Sequence, residues 1–253
     1  MFLDMSTAKM DILPKISGWR QYKAILRKDI AQELRTKEMV TSMGLYGILV
    51  LVIYYIALSQ TGTGFDVTAI AAGLLLLMIV FTSMLGLNRS LIHEHDQGQL
   101  EALLLAPIDR PIIFLAKATT NLLFLLIVQL VVVPLFYVMY VVGALPVQLG
   151  HITPGPWWMI AIALLLGTIG IAGVGTLLAT ISVNTTGRDF ILAVLFIPVM
   201  YPLLLVLVAA LNAVITGCPN FYTTFWQMCA AATIYNAILI AAAFVLYDFI
   251  LGV

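Results

Sequence analysis

All twelve lysines and arginines of this chain lie in alternate gaps between six long apolar runs, and that pattern restricts the fold more than any other feature. A helix needs about 20 apolar residues to cross a bilayer. Runs of that length occupy roughly 42–60, 68–88, 112–142, 157–181, 191–215 and 227–250. Lys9, Lys15, Arg20, Lys23, Arg27, Lys28, Arg35 and Lys37 precede the first run. Arg89, Arg110 and Lys117 flank the gap between the second and third, and Arg188 lies between the fourth and fifth. The opposite gaps, near 61–67, 143–156 and 216–226, hold no base. Cytoplasmic loops carry the excess of Lys and Arg, so both termini and the 89–111 segment are expected in the cytoplasm. An odd number of spans would break this partition.

Composition agrees. The 253 residues are 62% hydrophobic and 9% charged, against about 25% charged in soluble domains. The expected class is an all-α polytopic membrane protein with lipid as its main solvent. Zero net charge argues against a nucleic-acid partner. Cys218 and Cys229 match no metal or haem-attachment spacing and are expected to stay unbridged. The first 40 residues are polar and charged, and no secretory signal peptide is expected in them. Pro134 is expected to kink the third span, and Pro198 and Pro202 the fifth.

Before the first span, Trp19, Tyr22, Leu26 and Ile30 recur at spacings of three and four, with Ile25 and Leu34 on the flanks. Arg20, Arg27, Lys28 and Arg35 fall on the other side. This predicts an amphipathic helix in the cytoplasmic interface. Asp29 and Glu33 fall toward its apolar flank, where a carboxylate in lipid is costly, so both are expected to face protein or a basic partner.

The segment from Arg89 to Pro111 gathers four acids, two bases and two histidines. Residues 91–105 read as a short helix, with Leu100, Leu103 and Leu104 on one edge and Glu94, Gln97 and Glu101 on another. Pro107 ends it, and Gly98 marks a bend or a close approach. His93 and His95 sit two residues apart, which does not place them together on a helix, so a metal site is not expected.

These residues carry a resemblance. The ordered set Glu94, Gly98, Leu100-Glu101, Leu103-Leu104-Leu105-Ala106-Pro107-Ile108-Asp109-Arg110, then Lys117 and Asn121, resembles the CcmB family of cytochrome c maturation permeases. Lys28-Asp29, Glu33-Leu34-Arg35, the glycine-rich fourth span and Ile197-Pro198 with Pro202 also fit. The resemblance covers roughly residues 20–250. It implies an ABC-2-type fold: six spans (41–253), an N-terminal amphipathic elbow helix (19–40) and a cytoplasmic coupling helix (91–105), with residues 1–18 as an extension. The implied docking surface for an ATPase subunit is Glu94, Asp96, Gln97, Gly98, Leu100, Glu101, Leu104, Asp109 and Arg110. The implied elbow residues are Trp19, Tyr22, Arg27, Asp29, Glu33 and Arg35.

The chain has no G-x-x-x-x-G-K-[ST] phosphate loop. The resemblance therefore implies that ATP and Mg are bound by a partner ABC ATPase subunit, and that this chain is not itself an enzyme. The implied partners are that ATPase, a second copy of the chain, haem-handling membrane subunits and the bilayer. The implied place is the bacterial inner membrane. The alternative is an ABC-2-type permease for a drug, lipid or polysaccharide. An intramembrane enzyme would need paired titratable groups at one depth, and none is evident.

Within the spans, Asn121, Gln129, Asn212, Asn236 and Asp248 are polar. Asn121 and Gln129, with His151, Trp157 and Trp158 at the outer side, are candidates for a haem or substrate path. The preferred reading is interhelical hydrogen bonding for the amides and an aromatic belt with an incidental histidine for the rest. Gly167, Gly170, Gly173 and Gly175, beside Thr168, Ala172, Thr176 and Thr180, permit close helix contact within the subunit or with a second copy.

Overall fold

The computed structural model describes residues 17–59, 67–96, 110–139, 155–182, 188–217 and 219–250. Seven helices make up the described chain: α1 (Gly18–Thr36), α2 (Glu38–Ser59), α3 (Val67–Asp96), α4 (Arg110–Phe136), α5 (Trp157–Ser182), α6 (Arg188–Thr216) and α7 (Phe221–Ile250). Six of them, α2 to α7, are long and apolar enough to cross a membrane, as the apolar runs require. The protein is a multi-pass membrane protein of all-α class.

Helix α5 is the hub. Of its span, 72% is buried inside the protein, against 22% for the outermost spans. Its small residues explain why. A Cβ on Gly167 would lie 2.8 Å from Leu207 Cδ1 of α6, and one on Gly173 would lie 3.0 Å from Ile240 Cγ1 of α7. Gly170 faces both Asn236 of α7 and Leu203 of α6, and Gly175 faces Leu87 of α3. The glycines therefore seat α5 against its own neighbours, which decides between the two alternatives the sequence left open. The threonine edge, at four-residue spacing, turns to α4. Gly170→Ala would overpack this contact, at a cost of about 1–3 kcal/mol. Thermal unfolding of the purified protein in detergent should fall accordingly, with Gly44→Ala, which meets nothing within 4 Å, as the neutral control.

Helix α6 runs unbroken through Pro198 and Pro202. In the turn that Pro202 loosens, the Val199 carbonyl accepts the Tyr235 hydroxyl of α7 at 2.6 Å. Pro134 also lies inside a continuous helix, and a π-helical turn over 137–139 follows it. Gly217 ends α6 in the left-handed region, with φ of 60°, a conformation glycine adopts without strain.

Helix α3 differs from expectation at its end. Residues 91–96 continue the 30-residue α3 rather than opening a separate helix. The rest of the expected coupling helix, with Gln97, Gly98, Leu100, Glu101, Leu104 and Asp109, lies outside the described residues.

Candidate functional site

At the base-rich end of the bundle, three polar ties join four helices. The first is an ion pair. Lys117 Nζ on α4 donates to Asp29 Oδ2 on α1 at 2.9 Å, and the two side chains are only 3% and 6% exposed. Lys28 approaches the other Asp29 oxygen at 3.2 Å from a more exposed position. A carboxylate and an ammonium are stripped of water together here, and each makes the other's burial tolerable. Around them Ile25, Ile113, Phe114, Ala116, Leu177, Ala243 and Tyr247 form a small second core shared by α1, α4, α5 and α7. Phe114 and Tyr247 pack with ring centroids 5.2 Å apart.

The buried line of α1 thus runs through Ile25 and Asp29, one turn apart. Trp19, expected in the apolar stripe, is exposed, stacks on Tyr22 at 5.3 Å and carries Lys23 over its ring at 5.1 Å. Arg27 and Arg35 are exposed.

The second tie closes the corner between α1 and α2. Lys37, in the left-handed region with φ of 54°, is the single residue between the helices, and its N–H donates to the Glu33 carbonyl at 2.7 Å. The Val40 N–H, in the first turn of α2, donates to Glu33 Oε1 at 2.9 Å. An unpaired N–H at a helix start is satisfied by a carboxylate, which also opposes the positive end of the helix dipole. Glu33 is therefore a cap rather than a free acid. The third tie links α2 to α3: Arg89 Nη1 donates to Ser42 Oγ at 2.7 Å. Arg89 lies just before the segment carrying Glu94 and Asp96, whose positions are on the last turn of α3. Their side chains lie outside the described residues. Arg110 opens α4.

The amides form a second group deeper in the bundle, and the threonine edge of α5 is their partner. Asn121 Nδ2 donates to Thr176 Oγ1 at 2.9 Å. Gln129 Nε2 donates to Thr168 Oγ1 at 2.7 Å, and the Thr168 hydroxyl lies 3.0 Å from Gln129 Oε1. Asn236 Nδ2 donates to the Leu166 carbonyl at 2.7 Å. These bonds stitch α4 and α7 to α5, the interhelical role preferred from the sequence. Gln129 and Trp157 also share the wall of an apolar groove of about 610 Å³ between α4 and α5, with Leu130, Pro134, Tyr137 and Leu165. Asn121 does not line it, Trp158 is exposed at the start of α5, and His151 lies outside the described residues. Cys229 is a buried free thiol, and Cys218 lies outside the described residues.

The arrangement at the basic end therefore joins α1, α2, α3 and α4 into one connected unit. A comparison with protein-family profiles matches the family described as CcmB protein over residues 20–246. The chain belongs to the CcmB family. The match begins in α1 and ends in α7, so every tie described above falls within the CcmB region. Among individual proteins, the chain is similar to heme exporter protein B of Bradyrhizobium diazoefficiens. The two are 27% identical over 214 residues, which cover 83% of this chain and 90% of that relative.

The sequence pointed to Asp29 as a carboxylate needing a protein or basic partner, but not to Lys117 as that partner. Lys117 counted there as one more base near a loop. The available signal was its depth, two turns inside α4, as the one charged residue of that helix after Arg110.

Proposed function

We propose that this CcmB-family chain is the permease subunit of an ABC transporter complex for cytochrome c maturation. In this reading it couples ATP hydrolysis by a separate subunit to haem export or to release of the haem-loaded periplasmic chaperone. The observation that carries it is the family match across the whole membrane domain, and the relative named heme exporter protein B supports the cargo. The complex lies in the bacterial inner membrane with both termini cytoplasmic. It contains two permeases, two ATPase subunits and haem-handling membrane subunits.

The geometry suits the task. An ATPase that moves on binding nucleotide needs a stiff handle, and α3 is one continuous helix of 30 residues, about 45 Å long, running from the outer side to Asp96. A push on Glu94 or Asp96 is then a push on a span. Arg89–Ser42, Glu33–Val40 and Asp29–Lys117 pass it on to α2, α1 and α4. Displacement of packed elements with discrete arrangements is the physical basis of such coupling.

The test is purification of the tagged full-length chain from its native membranes in mild detergent, with mass spectrometry of the associated chains and an absorption spectrum for haem. An ATP-binding chain and a haem-containing membrane chain should co-purify. Recovery with glycosyl-transfer or drug-resistance components, or with no ATPase, overturns the proposal.

A further inference from the structure

Threonines inside these spans follow one habit. Thr120, Thr168, Thr176 and Thr180 each turn the hydroxyl onto the carbonyl four residues back, at 2.6–3.0 Å. Ser83 does the same to Ile79 at 2.7 Å. Such a bond satisfies a hydroxyl inside the membrane, where bulk water does not reach. Thr82 breaks the habit. It is only 5% exposed in α3, yet its Oγ1 is buried without a hydrogen-bond partner among the described residues. A buried hydroxyl left unpaired costs stability.

A second deficit lies on α4. Gln129 is 9% exposed and meets Thr168 Oγ1 through both amide atoms, Nε2 at 2.7 Å and Oε1 at 3.0 Å. The Thr168 hydroxyl has a single proton. Its shortest contact, at 2.6 Å, is the Leu164 carbonyl, which takes that proton. Gln129 Nε2 then donates to Thr168 Oγ1, but Gln129 Oε1 faces an oxygen with no proton left to give. The two orphaned groups line one small cavity. Thr82, Met78 and Ile79 of α3 form one wall, and Gln129, Leu125 and Val132 of α4 the other. Gly47 of α2 lies beside it. A Cβ there would come 3.8 Å from Thr82 Oγ1 and 3.0 Å from Val132 Cγ2, so α2 covers the cavity without filling it.

The cavity gives the centre of a water molecule about 10 Å³ of room, and one buried water needs about 10–15 Å³. Cavities that stay dry are lined by apolar atoms alone, whereas a buried water needs at least about two polar partners. We propose that this cavity is a binding site for one structural water, which accepts the Thr82 hydroxyl and donates to Gln129 Oε1. A hydroxyl with a proton to give and an amide oxygen in want of one are joined by a single molecule that does both. A metal cation is the poorer fit, because the wall offers two side-chain oxygens and no acid. The chain Thr82, water, Gln129, Thr168 then runs from α3 through α4 to α5. It ties the helix that reaches Asp96 to the hub of the bundle. The site lies within one subunit and rests neither on cargo nor on partners.

X-ray radiolysis of the purified full-length chain in detergent, read by mass spectrometry, tests the site, because a bound water yields hydroxyl radicals where it sits. Met78 is 2% exposed and lines the cavity, whereas Met159 and Met200 are 0% exposed and line neither it nor the groove between α4 and α5. Met78 should be oxidised at least about fivefold faster than either control. Equal protection of all three overturns the site, and this comparison needs no variant. Thr82→Val keeps the shape and removes the hydroxyl. With water bound, it should lower the unfolding midpoint by about 2–4 °C and slow the oxidation of Met78. In a dry cavity the same change removes an orphan, so a raised or unchanged midpoint overturns the site. Gln129→Leu should cost less in the Thr82→Val chain than in the unmodified one, because either change alone already breaks the bridge. Strictly additive losses overturn the bridge.

Discussion

Glu94→Lys combined with Glu101→Lys should remove the ATPase subunit from the purified complex while leaving the chain in the membrane. Glu94 lies on α3 beyond the apolar span, which ends at Arg89, so insertion is unaffected. The segment 91–109 carries the acids Glu94, Asp96, Glu101 and Asp109, and it holds no lysine or arginine. A partner that grips it is expected to present basic residues, because complementary charge steers encounter and sets register. Reversing two of the four acids turns two attractive contacts into repulsions. Truncating one partner of a buried charge pair already costs about 2–5 kcal/mol, so reversal at two sites should weaken association at least about a thousandfold. The amide pair, Glu94→Gln with Glu101→Gln, should fall between. Pull-down yield of the ATPase, normalised to the chain's level in the membrane, measures all three. An unchanged yield for the lysine pair means that the ATPase grips elsewhere.

Asp29→Leu should destabilise the protein by about 3–5 kcal/mol, because it strands a 3%-exposed Lys117 ammonium without its carboxylate. Lys117→Met should cost less, because Lys28 still lies 3.2 Å from the other Asp29 oxygen. Joining the two should recover most of the loss, since replacing a whole buried pair with apolar groups is close to neutral or stabilising. Unfolding midpoints in detergent for the two singles and the double decide the matter. If the double is as weak as the sum of the singles, the 2.9 Å contact contributes no coupling energy. The double also separates stability from work. If the pair serves as a latch for transmitted motion, the restored double should still couple ATP hydrolysis poorly.

Much of this architecture was legible before any coordinates. The twelve bases and six apolar runs fix the span count, because both follow from the cost of charge in hydrocarbon, a property of each residue alone. Asp29 was legible in part, since a carboxylate on an apolar stripe must have a reason. Its partner was not, because Lys117 lies 88 residues away and nothing local links them. Periodicity also misplaced the centre of the α1 face. It favoured Trp19 and Leu26, whereas packing against α4 chose Ile25 and Asp29. The threonines of α5 were read for their small size, but Thr168 and Thr176 also bond to Gln129 and Asn121.

The central place of α5 bears on how the chain is made. Synthesis delivers α3 and α4 first, so Leu87 is already in the membrane to meet Gly175, and Gln129 to meet Thr168. Leu203, Leu207, Asn236 and Ile240, which fill the other side, emerge only later. A helix whose glycines face those residues must therefore wait, half-clothed, while the ribosome finishes. Chains interrupted before α7 should be left with an open notch at Gly170 and Gly173, a surface that membrane quality control can recognise.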